Sequence, residues 1–179
     1  KYYIKEYKKF IGKNELEIKN KIICIIVLFC LIVYVGYGIL SYYKKRQQFY
    51  EDLSNFINYL NTEISFLKTD LVSIIDKNCN SYHSEMNDLL KFYLENIKAK
   101  KNNFEAKIKV LSNEENLDIS NFFNSLGKTN LQEQHTCIAH YKCRFSEQKT
   151  KSEEDKNKNG LTYFKLCIVV GLGVCIVLI

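Results

Sequence analysis

The amino-acid sequence predicts an all-α fold, in which a helical bundle domain lies between an N-terminal and a C-terminal transmembrane helix. Three observations support this prediction. Proline, the commonest interruption of a helix, is absent from all 179 residues. A strongly apolar stretch lies near each end of the chain. Between these stretches, apolar residues recur at the three- and four-residue intervals of amphipathic helices.

The first apolar stretch, residues 22–43, has the length of a membrane-spanning helix. It contains no charged residue, and about twenty apolar residues suffice to cross a hydrocarbon core of roughly 30 Å. Its tyrosines gather toward the C-terminal half, as expected at a lipid–water interface, and Lys44-Lys45-Arg46 follows it. A cleaved signal peptide would have a shorter apolar run and a small-residue cleavage site.

The second apolar stretch, residues 161–179, is predicted to form a transmembrane helix of marginal length. Its one charge, Lys165, lies near an end, where a long side chain can reach the interface. Gly171 and Gly173 offer a smooth surface for helix packing. At the other terminus, residues 1–21 are basic and aromatic. We interpret them as an interfacial helix or, since no initiator methionine is present, as upstream coding sequence or a fragment boundary that is not native to the protein.

Residues 44–160 have the periodicity of a soluble helical domain. Thr69 is predicted to cap the second helix of this domain, with Asp70 in the first turn. The polar run Ser112–Glu115 is another helix start signal. The stripe that defines the first helix of the domain consists of Phe49, Leu53, Phe56, Ile57, Leu60, Ile64 and Leu67.

Further helices are predicted in the second half of the domain. The spacing of Phe104, Ile108 and Leu111 predicts one short helix. Gly127 is predicted to end the next helix as a C-cap, and Asn130 belongs to the start of the helix after it. The apolar faces of these last two helices consist of Leu117, Ile119, Phe122, Phe123 and Leu126, and of Leu131, Ile138, Tyr141 and Phe145.

The charge distribution argues against nucleic-acid binding. The chain has a formal net charge of +6, but its lysines crowd into residues 1–21, while acidic residues largely balance the basic ones in residues 44–160. A domain that binds a polyanion would carry a basic stripe there. We therefore expect no nucleic-acid partner.

The cysteines and histidines give no pattern of a disulfide framework or a metal site. Outside the apolar stretches, the cysteines are odd in number and lack framework spacing, which indicates a reducing compartment. A structural zinc site usually takes paired ligands from two elements, and the one candidate cluster lacks a second pair. That cluster consists of His135, Cys137, His140 and Cys143.

Recognisable catalytic sequences are also missing. The chain has no Gly-rich phosphate loop, no nucleophile elbow and no H-E-x-x-H sequence. We therefore expect no enzymatic activity, no cofactor and no bound metal.

Two stretches resemble the stage III sporulation protein AB family of endospore-forming bacteria. Residues 58–71, NYLNTEISFLKTDL, are similar to the family's L-x-x-E-I-x-Y/F-x-x-T-P-L, with matches that include Glu63, Thr69 and Leu71. Residues 123–134, FNSLGKTNLQEQ, are similar to its F/L-G-x-x-L-G-x-x-D-x-x-x-Q. The order of membrane helix, helical domain and final apolar helix also agrees, and the resemblance covers the chain from the first apolar stretch onward.

Three positions depart from the family's pattern. Asp70 stands where the family has proline, and both residues suit the start of a helix. Asn124 stands for a glycine and Asn130 for an aspartate, and asparagine both adopts left-handed conformations and caps helices well. The remaining matches in the second stretch are Leu126, Gly127 and Gln134.

The resemblance implies a helical domain similar to the cytoplasmic domain of the type II secretion and type IV pilus platform protein, called F. It also implies a non-enzymatic structural role in the mother-cell-to-forespore channel, a secretion-like complex, beside a cytoplasmic ATPase and other membrane proteins. The chain would then lie in the cell membrane on the mother-cell side, which is the outer forespore membrane during sporulation. A homo-oligomer is also compatible with this role. The alternative is a membrane-anchored helical sensor or signalling adaptor unrelated to sporulation.

We expect partner contacts in the two family stretches, above all at the turn formed by residues 127–130, because a tight turn exposes its loop. Gly127 either fixes this turn for a partner or serves only as a C-cap. Glu63 is a helix-surface charge, a hydrogen-bond partner of a neighbouring cap, or a docking residue. The candidate partner-binding residues are Glu63, Thr69, Leu71, Leu126, Gly127, Asn130 and Gln134.

Flanking charges predict that residues 44–160 are cytoplasmic, because basic residues next to membrane spans favour that side. The basic segment 1–21 argues for the opposite orientation. We give more weight to the charges on both sides of the domain and to the absence of basic residues after the final span. The flanking residues are Lys44, Lys45, Arg46, Lys156, Lys158 and Lys165.

Overall fold

The computed structural model confirms the predicted all-α class. It describes residues 2–64, 70–101, 103–126 and 131–178, with side chains described from residue 17 onward except at 131 and 132. The predicted similarity to the secretion platform domain stays a prediction. The elements are α1 (Tyr2–Thr62), α2 (Leu71–Asn78), α3 (Ser84–Lys98), α4 (Asn113–Ser125), α5 (Leu131–Asp155), a π-helical turn (Lys156–Gly160) and α6 (Leu161–Leu178).

The chain divides into two compact units. One unit, here called the helix pair, comprises Lys1–Ser41 and Asn159–Ile179. The other, the helical domain, comprises Tyr42–Lys158.

Within the helix pair, two glycines allow α1 and α6 to approach closely. A Cβ atom added at Gly36 would lie 2.8 Å from Cβ of Cys167, and one added at Gly171 would lie 2.9 Å from the ring of Phe29. Because Gly36 faces Cys167 while the earlier Phe29 faces the later Gly171, the two helices run antiparallel. Gly173, predicted to share the packing surface with Gly171, has no side-chain neighbour within 4 Å and does not take part.

The apolar side chains of the helix pair point mainly away from the protein. Two helices are long and apolar enough to cross a membrane, and only 6% of the most apolar window of each is buried. A core helix of a soluble protein would bury such a window. Side chains more than half exposed include Ile23, Leu31, Tyr34, Val169 and Val177. This exposed apolar surface makes α1 and α6 candidate membrane helices.

The core of the helical domain follows the predicted stripe on α1. The stripe residues from Phe49 to Ile64 are all buried, and Leu67 lies outside the described residues. Aromatic rings connect them to the rest of the core: Phe56 stacks on Phe123 at 6.1 Å, and Tyr93 meets Phe123 edge-on at 4.7 Å. The core residues contributed by α3, α4 and α5 are Met86, Leu89, Leu90, Tyr93, Leu94, Ile119, Phe122, Phe123, Ile138 and Phe145.

The helix starts are partly as predicted. Ser112 caps α4 in a full capping box, in which its side chain accepts from the Glu115 N–H while Glu115 accepts from the Ser112 N–H. Asp70 is itself the N-cap residue of α2, in extended conformation and without a side-chain cap bond, so its prediction as a first-turn residue is wrong. The predicted caps Thr69, Gly127 and Asn130 lie outside the described residues.

The predicted helix around Phe104, Ile108 and Leu111 is wrong, because residues 103–108 are not helical. Their N–H bonds to α4 at every second residue have the pattern of an extended segment. Buried and exposed residues alternate there, with the period of two that a strand shows. The buried ones are Phe104, Ala106 and Ile108, together with Val110 in the following turn.

Three side chains of α4 explain this extended conformation. Asn116, Ser120 and Asn124, spaced four residues apart and here called the polar ladder, hydrogen-bond to the backbone of every second residue. Asn124 accepts from the Phe104 N–H at 2.8 Å and donates to the Phe104 carbonyl at 2.7 Å. These long-range bonds satisfy backbone groups that a helix would have satisfied locally. On α4 itself, Leu117 was predicted to lie on the apolar face, but its side chain is 60% exposed.

Candidate functional site

The best-defined polar site of the helical domain is a network around Arg46. Arg46 lies on α1, just inside the point where the chain enters the domain, and its side chain is only 12% exposed. Asp155, one of its partners, ends α5 just before the chain leaves the domain. The network therefore links residues near both chain ends of the domain.

The Arg46 guanidinium bonds to carboxylates from two other helices. Its Nη2 donates to Oε1 of Glu115 on α4 at 2.7 Å, and its Nη1 donates to Oδ2 of Asp155 at 2.9 Å. The Tyr50 hydroxyl, one turn further along α1, also donates to Glu115 Oε1, at 2.7 Å. The planar fork of arginine can hold two carboxylates in fixed directions at once, which a lysine ammonium cannot do. The network thus fixes α1, α4 and α5 relative to one another.

Glu115 has two roles, because one carboxylate oxygen serves the network while the other completes the capping box with Ser112. Burial raises the pKa of the Glu115 carboxyl. The hydrogen bonds from the Ser112 N–H, Arg46 and Tyr50 outweigh burial, so the pKa lies below its ordinary value. Glu115 is therefore an anion at neutral pH.

The partners of Glu115 also keep one protonation state. Burial lowers the pKa of Arg46, but the hydrogen bond to Glu115 and its charge outweigh burial, so the pKa is raised. Burial, together with the Glu115 hydrogen bond, raises the pKa of Tyr50 far above its ordinary value. No group of this trio changes charge near neutral pH. The trio is suited to holding helices in place rather than to transferring protons.

The structure describes four of the seven sequence-predicted partner-binding residues, and all four are buried or half-buried. Glu63 and Leu126 are buried, and Leu71 packs against the core cluster. Gln134 is half-buried on α5. Thr69, Gly127 and Asn130 lie outside the described residues. The structure does not gather Glu63, Leu71, Leu126 and Gln134 into one exposed surface, and their role in partner binding stays a prediction.

The histidine and cysteine cluster of α5 has separate neighbours. Cys137 Sγ lies 3.1 Å from Ser125 Oγ, and the Cys143 thiol lies 3.9 Å from Oε1 of the exposed Glu147. The exposed His140 ring meets Tyr141 edge-on. Among the residues that the structure describes, no three His, Cys, Asp or Glu side chains are close enough to share a metal ion.

The sequence does not predict this network, because Arg46 stands in the sequence only as a basic residue after the first apolar stretch. One signal could have found the network residues. The chain contains 24 lysines but only two arginines, and both arginines pair with α4, Arg46 with Glu115 and Arg144 with Asp118. An arginine in such a lysine-rich chain marks a position where planar, two-sided bonding is needed.

The comparisons with known proteins agree with the resemblance seen in the sequence. Neither a curated protein nor a solved structure matches the chain. The family model of stage III sporulation protein AB matches residues 21–179, which include the helical domain and both candidate membrane helices. The segment before residue 21 lies outside the match. The chain therefore belongs to the stage III sporulation protein AB family.

Proposed function

We propose that this protein is a non-enzymatic structural component of the mother-cell-to-forespore sporulation channel, in which its helical domain serves as a platform for a cytoplasmic ATPase. The family match across residues 21–179 carries this proposal. The helical domain supports it, because its partly buried polar site holds helices in place, and Arg46, Tyr50 and Glu115 each keep one charge state near neutral pH.

The candidate membrane helices anchor this platform in the outer forespore membrane. Since α1 and α6 run antiparallel in the helix pair, the chain enters and leaves the helical domain on one side of the bilayer. Lysines and Arg46 next to both spans favour the cytoplasm of the mother cell for that side. The exposed Cys143 reports on sidedness, whereas Cys79 is buried. A membrane-impermeant maleimide should label Cys143 only after cells are opened, and labelling in intact cells would reverse the orientation. Cys143→Ser provides the control.

Deletion of the gene tests the channel role. Sporulation should stop after engulfment, with a forespore that fails to mature, while vegetative growth stays normal. A tagged full-length copy should restore sporulation and recover the ATPase from detergent-solubilised membranes. Normal spore formation in the deletion strain, or a tag that never recovers the ATPase, would contradict the proposal.

The absence of metal-dependent chemistry is a separate part of the proposal. Elemental analysis of the purified chain should find no stoichiometric metal. Stoichiometric zinc that disappears in His140→Ala would contradict a purely structural role.

A further inference from the structure

The extended residues 103–108 have two backbone edges, and only one is occupied. The polar ladder takes the N–H groups of Phe104, Ala106 and Ile108, each at 2.8 Å. In an extended chain, the N–H and C=O groups of successive residues point to opposite sides. The backbone groups of Glu105 and Lys107 therefore point away from α4. Within the described part of the chain, no hydrogen bond engages them.

The Lys107 end of this second edge borders a groove whose lining contains no residue of α4. The groove measures about 590 Å³ and separates the extended segment from α3. Its walls combine the polar edge with apolar surface, including Phe92, which is 48% exposed. The side chains of Glu105 and Lys107 are about three-quarters exposed. An unpaired edge beside an apolar wall is the arrangement that binds an added peptide strand.

The charge around this edge selects the partner. Residues 98–109 contain five lysines and one glutamate, all exposed, although the domain as a whole is nearly balanced. On the α3 wall, Glu85 is neutralised by Lys45 at 2.9 Å, and Asp88 is the other carboxylate in the groove. Lys107 is itself paired with Glu105 at 3.2 Å, and the four other lysines leave the segment with an excess of positive charge. An extended strand with acidic side chains would be attracted to it.

A second copy of this chain fits the edge poorly. Antiparallel self-pairing about Lys107 would place Lys107 directly opposite its own copy. Pairing about Ala106 would set Glu105 opposite Lys107 of the other copy, but the lysine excess of residues 98–109 would still make the two segments repel each other. We propose that the edge formed by Glu105 and Lys107 binds an extended acidic peptide of a partner protein by adding it as a second strand. This inference is independent of the channel role and would hold for a partner of any cellular function.

Hydrogen exchange in the full-length protein tests the edge directly. Without a ligand, the amides of Phe104, Ala106 and Ile108 should exchange slowly, while those of Glu105 and Lys107 exchange fast. A seven-residue peptide that alternates glutamate and valine should slow exchange at Glu105 and Lys107 by about tenfold or more, because bound strands protect alternate amides. The three ladder-bound amides serve as the internal control.

Binding measured by fluorescence anisotropy, in detergent, separates strand addition from charge attraction. The glutamate–valine peptide should bind at least about tenfold more tightly than a lysine–valine peptide or a copy with every backbone N–H methylated. The double variant Lys107→Glu and Lys109→Glu should lose binding by a similar factor. The matched double variant Lys142→Glu and Lys151→Glu, on exposed positions of α5, should bind as the wild type does.

Three results would overturn the proposal. The first is equal binding of the methylated peptide, which would reduce the site to a charged surface. The second is equal binding of a single-stranded oligonucleotide, which would make the lysines a general polyanion site. The third is no binding of the glutamate–valine peptide at millimolar concentration, with unchanged exchange at Glu105 and Lys107.

Discussion

The helical domain and the helix pair contain similar apolar side chains but expose them differently. In the domain, the α1 stripe from Phe49 to Ile64 is buried at 7% exposure or less. In the helix pair, the same helix exposes Ile23, Leu31 and Tyr34 by more than half. A domain in water gains free energy when apolar surface leaves the solvent, whereas lipid offers no such gain between helices.

The two units accordingly use different contacts to hold their helices. The domain uses an apolar core and adds a partly buried network in which Arg46 joins Glu115 and Asp155. In the helix pair, α1 and α6 approach closely at Gly36 and at Gly171, because neither glycine has a side chain that would keep the helices apart. This comparison shows that one helix, α1, can follow two packing rules along its length. Substitutions at these contacts test the difference.

The largest effect is expected from loss of the cation in the domain network. Arg46→Met leaves the partly buried Glu115 carboxylate without its guanidinium, and we expect a loss of about 3 kcal/mol, the lower end of the range for breaking a fully buried pair. Denaturant unfolding of the full chain in detergent measures the loss. Arg144→Met is the control, because Arg144 is 46% exposed and its pair with Asp118 should contribute less than about 1 kcal/mol. Equal losses in the two variants would contradict the structural role of the network.

A smaller loss is expected from an added methyl group in the helix pair. Gly36→Ala puts a Cβ atom within 2.8 Å of Cβ of Cys167, and overpacking of this kind costs about 1–3 kcal/mol. Gly38→Ala adds the same group two residues away, where nothing lies within 4 Å, and should not destabilise the protein. Thermal unfolding in detergent compares the two variants. A larger loss of stability in Gly38→Ala than in Gly36→Ala would contradict the close contact between Gly36 and Cys167.

The capping box should contribute about 1 kcal/mol to the domain. Ser112→Ala removes the side chain that accepts from the Glu115 N–H, and loss of such a cap typically costs about that amount. Asp70→Ala changes another N-cap residue, but Asp70 makes no side-chain cap bond and its loss should cost less. Denaturant unfolding of both variants distinguishes the two caps.

The smallest effect is a change in acid sensitivity. The pKa of Glu115 is lower in the folded protein than its ordinary value of 4.5, so its stabilising contribution is complete above that value and falls as pH drops through the folded pKa. In Glu115→Gln, the unfolding free energy should depend less on pH below about 4.5. Stability measured from pH 7 to pH 3 gives this slope, and Glu153→Gln, at an exposed position, serves as the control. An unchanged slope in Glu115→Gln would contradict the lowered pKa.

The sequence by itself determined the features that depend on near neighbours along the chain. The spacing of apolar residues predicted the α1 stripe, and the polar run before Leu117 predicted the start of α4. The long apolar stretches predicted both candidate membrane helices. These features follow from helical periodicity, capping and segment length, which residues a few positions apart decide.

Only the tertiary structure decided the features that depend on distant residues. Arg46 bonds to residues 69 and 109 positions away, so a basic residue after a candidate membrane span gave no sign of this network. Phe104 takes its backbone partner from Asn124, 20 residues away, and this bond overrides the local helical spacing. Gly171 packs against α1, whereas Gly173 does not. This difference depends on where the neighbouring helix lies, which the local sequence around two similar glycines does not contain.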